Sequence, residues 1–174
     1  MEIIVFGVFF AIYLTVKIYT TDHETPADKD RLTMAEGITY FQNNDFERAF
    51  FYFDSAIKNN SKSAIALGYR GLCNLKFENY HTAIYDLTQS MKFDNTLYEF
   101  QLGRGRAHYE LEEWQEALVQ LDKAVWYSHR KNIDALRWRA IVLLKIDKKQ
   151  KAKSDLEMAM KLGDEESARL LAKI

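Results

Sequence analysis

The hydrophobic residues of this chain follow two different patterns along its length. Residues 3–16 carry no charge, and the apolar run continues to residue 21 with Lys17 as its only charged residue. A helix over these nineteen residues spans about 28 Å, close to the hydrocarbon thickness of a bilayer. Farther along the chain, apolar residues recur at helical spacing between short polar breaks. The two patterns together predict an all-α protein whose first helix spans a membrane.

Two other interpretations of the apolar run fit less well. A secretory signal peptide begins with basic residues and ends at a small-residue cleavage site, whereas only Met1 and Glu2 precede this run and no A-x-A pattern follows. A buried core helix has a polar face, which residues 3–16 lack. We therefore interpret residues 1–21 as a transmembrane anchor that contacts the lipid bilayer through residues 3–21.

Basic residues flank the predicted anchor on one side only. Lys17, Lys29 and Arg31 lie at or just beyond its C-terminal end, and none precedes it. The positive-inside rule then predicts a single-pass protein with its N-terminus outside and the rest of the chain in the cytoplasm. Residues 25–28 read Thr-Pro-Ala-Asp, which is typical of a helix start. Residues 22–29 are therefore predicted to form a short linker and helix start that hold the next domain close to the membrane.

Beyond the linker, small and large residues recur at a nearly fixed period. An alanine returns at almost equal intervals, at Ala49, Ala83, Ala117 and Ala152. A small residue lies twelve positions before each of them, at Gly37, Gly71, Gly105 and Ala140. A large apolar residue lies four positions after each, at Phe53, Leu87, Leu121 and Leu156. Polar breaks at 43–45, 78–79 and 112–113 divide the units into two helices, so each unit is predicted to be a helical hairpin packed through its small residues.

This pattern resembles the tetratricopeptide repeat family. The second unit matches well, from Arg70-Gly71 through Tyr80, Ala83 and Leu87. The resemblance implies a right-handed superhelix of four helical hairpins over residues 30–166, divided at 30–63, 64–97, 98–131 and 132–166. A short helix over residues 167–174 would cap the open end. The prolines that usually close each repeat are replaced here by Ser61, Asn95, His129 and Asp164.

An arginine stands where the commonest form of the family motif has leucine. It occurs in three units, at Arg70, Arg104 and Arg139. These positions resemble an Arg-Gly variant of the family motif. The resemblance implies that each arginine pairs with an acid on a neighbouring helix. Asp86 and Asp155 are well placed for this.

Composition and charge exclude several classes of function. One proline and seven glycines are too few for the turns of an all-β sandwich. The net charge of −1 lacks the basic excess expected of a nucleic-acid-binding protein. Cys73 is the only cysteine, so one chain can form neither a disulfide nor a cysteine-based zinc site.

Candidate catalytic and metal-binding motifs are weak. The four histidines do not cluster, and His81 and His108 fall in different repeats, so surface or packing roles are expected for His23, His81, His108 and His129. Gly103-Arg104-Gly105 lacks a third glycine and a preceding strand, and is interpreted as a helix contact rather than a phosphate loop. We expect no enzyme activity, cofactor, metal ion or small-molecule substrate.

The family resemblance implies a binding groove on the inner surface of the superhelix. Its lining would come from the first helix of each hairpin: Met34, Ile38, Phe41, Tyr69, Leu72, Leu102, Arg106, Tyr109, Arg137, Trp138 and Ile141. Family members that bind chaperones grip a terminal carboxylate there with Lys, Arg and Asn, whereas this lining is mainly apolar. The predicted partner is therefore an apolar helix or extended peptide segment of another protein. Some of these residues are expected to pack repeat against repeat instead.

Two other surface features allow more than one interpretation. Phe51 and Tyr52 point away from the predicted hairpin core, and either residues 26–34 or a partner covers them. Five lysines within 145–153 are interpreted as a solvated turn, with an anionic-lipid contact as the alternative. The sequence as a whole predicts a membrane-anchored scaffold or adaptor at the cytoplasmic membrane face. The alternative is a permanent accessory or assembly subunit of a larger membrane protein complex.

Overall fold

The computed structural model describes residues 10, 12, 13 and 26–174, and the continuous part is built from α-helices. These are α1 (Pro26–Thr33), α2 (Ala35–Gln42), α3 (Phe46–Asn59), α4 (Ala64–Lys76), α5 (Tyr80–Phe93), α6 (Tyr98–Glu110), α7 (Trp114–Tyr127), α8 (Ile133–Lys145), α9 (Lys149–Lys161) and α10 (Glu165–Leu171). Apart from residues 10, 12 and 13, the predicted anchor and residues 22–25 lie outside the described residues. Among the helices described, none has both the length and the apolar character needed to cross a membrane.

Eight of these helices pair into consecutive antiparallel hairpins. The pairs are α2/α3, α4/α5, α6/α7 and α8/α9. Each second helix also packs against the first helix of the next hairpin, so α3 contacts α4, α5 contacts α6 and α7 contacts α8. A solenoid results, in which every hairpin buries its apolar face against its sequence neighbours.

Small residues bring the two helices of a hairpin close together. A Cβ atom built on Gly71 would lie 2.8 Å from Cγ of Leu87 and 3.1 Å from its backbone nitrogen. A Cβ atom on Gly105 would lie 2.6 Å from Cγ of Leu121. The leucines are themselves fully buried. Glycine is therefore required at both positions by close packing, since any side chain would push the two helices apart.

The turn inside each hairpin has one residue in the left-handed region. These residues recur once per hairpin, at Asn44 (φ 61°), Glu78 (φ 62°), Glu112 (φ 60°) and Asp147 (φ 56°). The conformation is common for glycine and asparagine after a helix, and it costs free energy for a glutamate. The polar breaks seen in the sequence therefore mark a backbone turn that repeats along this one chain.

Arginine–aspartate pairs connect the helices of the second and fourth hairpins. Arg70 donates from Nε and Nη2 to Asp86 at 2.8 and 2.7 Å, and from Nη1 to Asp54 at 2.9 Å. Arg139 repeats this arrangement with Asp155 at 2.7 and 2.6 Å and a second acid on α7 at 2.9 Å. The pairing expected of Asp86 and Asp155 is thus present. The hydrogen bonds from Arg70 to Asp86 and Asp54 outweigh the effect of burial and raise the pKa of Arg70.

The array begins differently from the predicted boundary. Residues 30–33, assigned above to the first repeat, belong to α1, because the backbone leaves helical geometry at Met34 (φ −98°, ψ 11°). The first hairpin therefore starts at Ala35. At the other end, the Asp164 side chain accepts a hydrogen bond from the Ser167 backbone N–H at 3.2 Å and caps α10. The terminal helix consequently begins at Glu165, two residues before the predicted position.

Candidate functional site

The first helices of the hairpins form one continuous layer. Within it α2 contacts α4, α4 contacts α6 and α6 contacts α8. Each second helix contacts the first helix of the next hairpin. Because the first helices approach one another directly, the array curves toward their side, and their free faces line its inner surface. Apart from Met34, which immediately precedes α2, the residues predicted to form a groove belong to these helices.

Two aromatic rings and one arginine meet where α6 and α8 adjoin. The ring centroids of Tyr109 and Trp138 are 5.3 Å apart in an edge-to-face arrangement. The guanidinium carbon of Arg106 lies 4.8 Å from the centre of the Trp138 ring, and the Trp114 ring is 5.1 Å from Tyr109. Tyr109, Trp138 and Arg106 are all half-buried, so each keeps part of its surface in contact with solvent. We call these three residues the aromatic ledge.

Arg106 is held in an electrostatically unfavourable position. Burial lowers its pKa, although the negative charges of Asp134 and Glu110 partly oppose this effect. Its Nε is buried and finds no hydrogen-bond acceptor among residues 26–174. Stacking on Trp138 compensates in part, because the ring face attracts a cation.

The charge of Arg137 is already satisfied. Its guanidinium donates to Asp164 at 2.6 Å and is also paired with Asp134. Burial by itself would raise the pKa of Asp164, but hydrogen bonds from Ser167 and Arg137 outweigh burial, and the pKa is lowered. Arg137 therefore fixes α10 against α8 and is less available to a ligand than Arg106. Leu102 and Ile141 are half-buried and extend the apolar lining.

At the N-terminal end, part of the predicted lining is buried in the core. Ile38 and Tyr69 are each 8% exposed. Tyr69 stacks on Phe53 at 5.2 Å and makes edge contacts with Phe41 at 5.4 Å and Phe100 at 5.6 Å. Burial raises the pKa of the Tyr69 hydroxyl despite the nearby charge of an arginine on α1. Ile38 and Tyr69 therefore pack the first three hairpins together. Phe41 and Leu72 remain partly exposed.

The helix α1 covers this end of the inner surface. It packs against α2 and α4, and its Ala27 is buried in the same core cluster as Tyr69. An ion pair joins Arg31 of α1 to Glu99 of α6. This ion pair was not predicted from the sequence, in which Arg31 was interpreted only as a basic residue near the membrane. The uncovered part of the groove consequently lies over α6 and α8.

Phe51 and Tyr52 have different surroundings. The Tyr52 hydroxyl donates to the Thr33 carbonyl at 3.3 Å, so the segment before α2 does reach this residue. Phe51 remains 69% exposed. Its ring centroid is 5.8 Å from that of Phe50, and the Phe50 ring is in turn 6.0 Å from that of Phe77. The prediction that residues 26–34 cover these side chains therefore holds for Tyr52 only. Phe51 is open to solvent.

The reactive side chains occupy unreactive settings. Burial raises the pKa of the Cys73 thiol to about 12, which leaves it protonated and a poor nucleophile at neutral pH. His108 is buried, and its Nδ1 lies 2.6 Å from a carboxylate oxygen of Glu113. Within the described ranges, no three His, Cys, Asp or Glu side chains are placed to hold a metal ion.

Comparison with known proteins agrees with this geometry. Residues 34–92 match a family model described as tetratricopeptide repeat. Residues 34–92 therefore contain tetratricopeptide repeats. PilF of Pseudomonas aeruginosa has a similar structure (TM-score 0.74, 19% identity, 86% of this chain and 69% of that one). MamA is also similar (TM-score 0.64, 20% identity, 73% of this chain and 74% of that one). No curated protein matches in sequence.

A tetratricopeptide repeat domain with a bound peptide is also among the similar structures. The first such domain of Spaghetti (RPAP3), bound to an HSP90 peptide, has a TM-score of 0.61 and 25% identity over 66% of this chain and 91% of that one. The helical hairpins of the present chain share this architecture. Their inner surface differs along its length, since α1 covers one part and the aromatic ledge occupies another.

Proposed function

We propose that this protein is a non-enzymatic scaffold that binds a segment of a protein partner in the groove over α6 and α8. The observation that carries the proposal is the aromatic ledge. Tyr109 and Trp138 present apolar surface with few rotatable bonds to lose, and the half-buried guanidinium of Arg106 is stacked on the Trp138 ring beside them. Such a combination of rigid aromatic surface and arginine is characteristic of residues that dominate binding energy at interfaces.

The partner segment is an apolar helix or extended peptide. Its apolar side chains would pack against Tyr109 and Trp138, and one of its oxygen atoms would accept from Arg106. Peptide recognition by related folds supports this choice. The first domain of Spaghetti (RPAP3) is bound to the HSP90 peptide SRMEEVD, and the second domain of human RPAP3 to the HSP70 peptide SGPTIEEVD. The mainly apolar lining here favours a less acidic segment than those two.

Two substitutions and one matched control test the groove. Tyr109→Ala and Trp138→Ala each remove ledge surface, whereas Trp126→Ala removes a tryptophan that is 74% exposed on α7. A partner is first identified by pull-down with the full chain in detergent and mass spectrometry. The ledge variants are expected to weaken its binding by about 30-fold, as for a loss of about 2 kcal/mol. Affinity is measured well below the melting temperature of each variant, because Tyr109 and Trp138 also pack against the buried cluster of the third and fourth hairpins, and their loss lowers stability as well. Unchanged affinity in both variants would refute the groove.

We also propose that residues 3–21 tether the scaffold to a membrane, with the array on the cytoplasmic side. The apolar run and the basic residues after it support this topology. Deletion of residues 1–21 should move the protein from the membrane fraction to the supernatant after a carbonate wash. A reporter fused after Ile174 should be active in the cytoplasm, and activity outside would reverse the orientation. Membrane proteins that co-purify in fixed stoichiometry would instead favour an accessory subunit of a larger complex.

A further inference from the structure

A cleft opens on the outer surface of the array, between the second helices of the third and fourth hairpins. Its walls come from α7 and α9, and its floor comes from α8, which packs against both. The cleft encloses about 220 Å³, less than the roughly 300–1,000 Å³ that a drug-sized ligand occupies, so it can take one small group. Its charged lining residues are Asp122, Arg130, Arg139, Lys148, Lys151 and Asp155.

The two acids of the cleft are already paired with one of its cations. Arg139 donates from Nε and Nη2 to Asp155 at 2.7 and 2.6 Å, and from Nη1 to Asp122 at 2.9 Å. Four cations and two acids line the cleft, so its lining has an excess of two positive charges. That excess belongs to the three cations that Arg139 leaves over.

These three cations are Arg130, Lys148 and Lys151. They are exposed, and within residues 26–174 they form no ion pair. Lys148 immediately precedes α9 and Lys151 lies in its first turn, where the helix dipole disfavours positive charge. The two lysines also repel each other, because residues three positions apart are neighbours on a helix. An anion in the cleft would remove both unfavourable effects.

The hairpin architecture does not require these cations. The residues at the equivalent positions one repeat earlier are Thr96, Glu113 and Glu116. Two of the three are acids, so the preceding hairpin has the opposite charge at this place. Arg104, the counterpart of Arg139, also has no acidic partner in the described part of the chain, because Gln120 takes the position of Asp155. The positive cleft is therefore a property of the fourth hairpin and not of the repeat.

We propose that this cleft binds a phosphate monoester group through Arg130, Lys148 and Lys151. At neutral pH such a group carries close to two negative charges and offers three acceptor oxygens, which matches the charge excess and the number of free cations. Lysine binds phosphate as a point charge and arginine as a planar fork. The exposed hydroxyl of Ser154, also in the lining, can donate to a further oxygen. The group would belong either to a soluble molecule or to a lipid headgroup.

The site is separate from the proposed groove. The aromatic ledge lies on the first helices α6 and α8, at the inner surface, whereas the cationic walls of the cleft belong to the second helix α9 and the loop after α7. Occupation of one site therefore leaves the other accessible, and the proposal does not depend on the groove.

The experiment titrates the full ¹⁵N-labelled chain in non-ionic detergent with glycerol 3-phosphate. Saturable shifts are expected for the backbone amide resonances of Lys148, Lys151 and Ser154, with little change at Glu113 and Glu116. Sodium chloride at matched ionic strength should give no saturable shift. Absence of saturation with glycerol 3-phosphate would overturn the site. Acetate binding that is equal or tighter would overturn the assignment to phosphate.

A pair of charge-matched variants tests the role of the lysines. Lys148→Glu/Lys151→Glu introduces the acids of the third hairpin, so it should fold normally and weaken binding by about tenfold or more, as for about 1.4 kcal/mol. Lys123→Glu/Lys161→Glu makes the same charge change at two exposed lysines outside the cleft and should retain the affinity. Equal weakening in both variants would show general charge attraction only, and the proposed site would be wrong.

Mixed micelles distinguish the two sources of phosphate. Phosphatidic acid carries a phosphate monoester headgroup, and tighter binding of this lipid than of glycerol 3-phosphate would assign the site to a lipid. Tighter binding of glycerol 3-phosphate would assign it to a soluble molecule. Phosphatidylcholine should produce no shift at Lys148 or Lys151, and an equal shift would overturn recognition of the monoester. No identified protein partner is needed, so failure here leaves the groove proposal intact.

Discussion

Arg31 on α1 is ion-paired with Glu99 on α6, although the two residues are far apart in the chain. The pair holds α1 across the inner surface near Tyr69 and separates the covered part of the groove from the aromatic ledge. Both side chains are partly exposed, with 38% of Arg31 and 22% of Glu99 accessible. The pair is therefore expected to contribute modestly, and mainly to the position of α1.

Glu99→Gln should loosen α1 without unfolding the array. Amide hydrogen exchange in α1 is expected to accelerate by up to about fivefold, as for a loss of ~1 kcal/mol, while exchange in α7 to α9 stays unchanged. Glu166→Gln, which removes an exposed partner of Arg169, serves as the control and should leave α1 unaffected. Unchanged exchange in α1 after Glu99→Gln would show that apolar contacts alone hold this helix.

Ala117→Leu tests the packing inside the third hairpin. Ala117 is fully buried, and its carbonyl oxygen would be 3.3 Å from a Cβ atom on Gly105. The larger side chain should lower the free energy of unfolding by about 1–3 kcal/mol through overpacking. Val119→Leu, on the exposed side of the same helix, should change it little. Thermal denaturation followed by circular dichroism compares the two, and equal stability would contradict the observed register.

Glu112→Gly tests the cost of the left-handed turn. Glu112 has φ 60°, a conformation that glycine adopts without steric penalty. The substitution should raise the free energy of unfolding by roughly 0.5–1 kcal/mol, after the entropy lost by glycine on folding is taken into account. Glu116→Gly, inside α7, should lower it by about 1 kcal/mol instead. Urea denaturation measures both, and a loss of stability in Glu112→Gly would contradict the assigned turn.

Asp164→Asn tests the charge that joins α8 to α10. Asparagine can still cap α10, so the variant chiefly removes the negative charge facing Arg137. The folded pKa of Asp164 is lowered, so its stabilising effect is complete above the unfolded pKa of about 3.9. That effect is lost as the pH falls through the folded pKa.

The variant should therefore be less stable than the native chain at pH 7, by about 1 kcal/mol, and the difference should disappear in acid. Urea midpoints between pH 7 and pH 2.5 measure it. Glu47→Gln, which changes an exposed acid on α3, is the control. A difference that stays constant with pH would mean that Asp164 acts through its cap alone.

The sequence alone was sufficient to predict the helical hairpins. The repeat period placed Gly71 opposite Leu87 and marked the turn at Glu112, because helix contacts and turns within a hairpin depend on residues close in the chain. The family resemblance implied the pairing of Arg70 with Asp86, which the structure contains. The lack of an acidic partner for Arg104 could also have been found by aligning Gln120 with Asp86.

Only the tertiary structure decided which part of the inner surface is open. The family resemblance treats all first helices alike, and it implied equivalent roles in the groove for Tyr69 and Trp138. The structure buries Tyr69 beneath α1 and between the rings of its neighbours, and it leaves Trp138 half-buried beside Arg106. The cause is the contact of α1 with α4 and α6, which joins segments far apart in the chain. Nothing in the repeat pattern encodes such a contact, because α1 lies outside the repeats and its packing depends on the assembled surface.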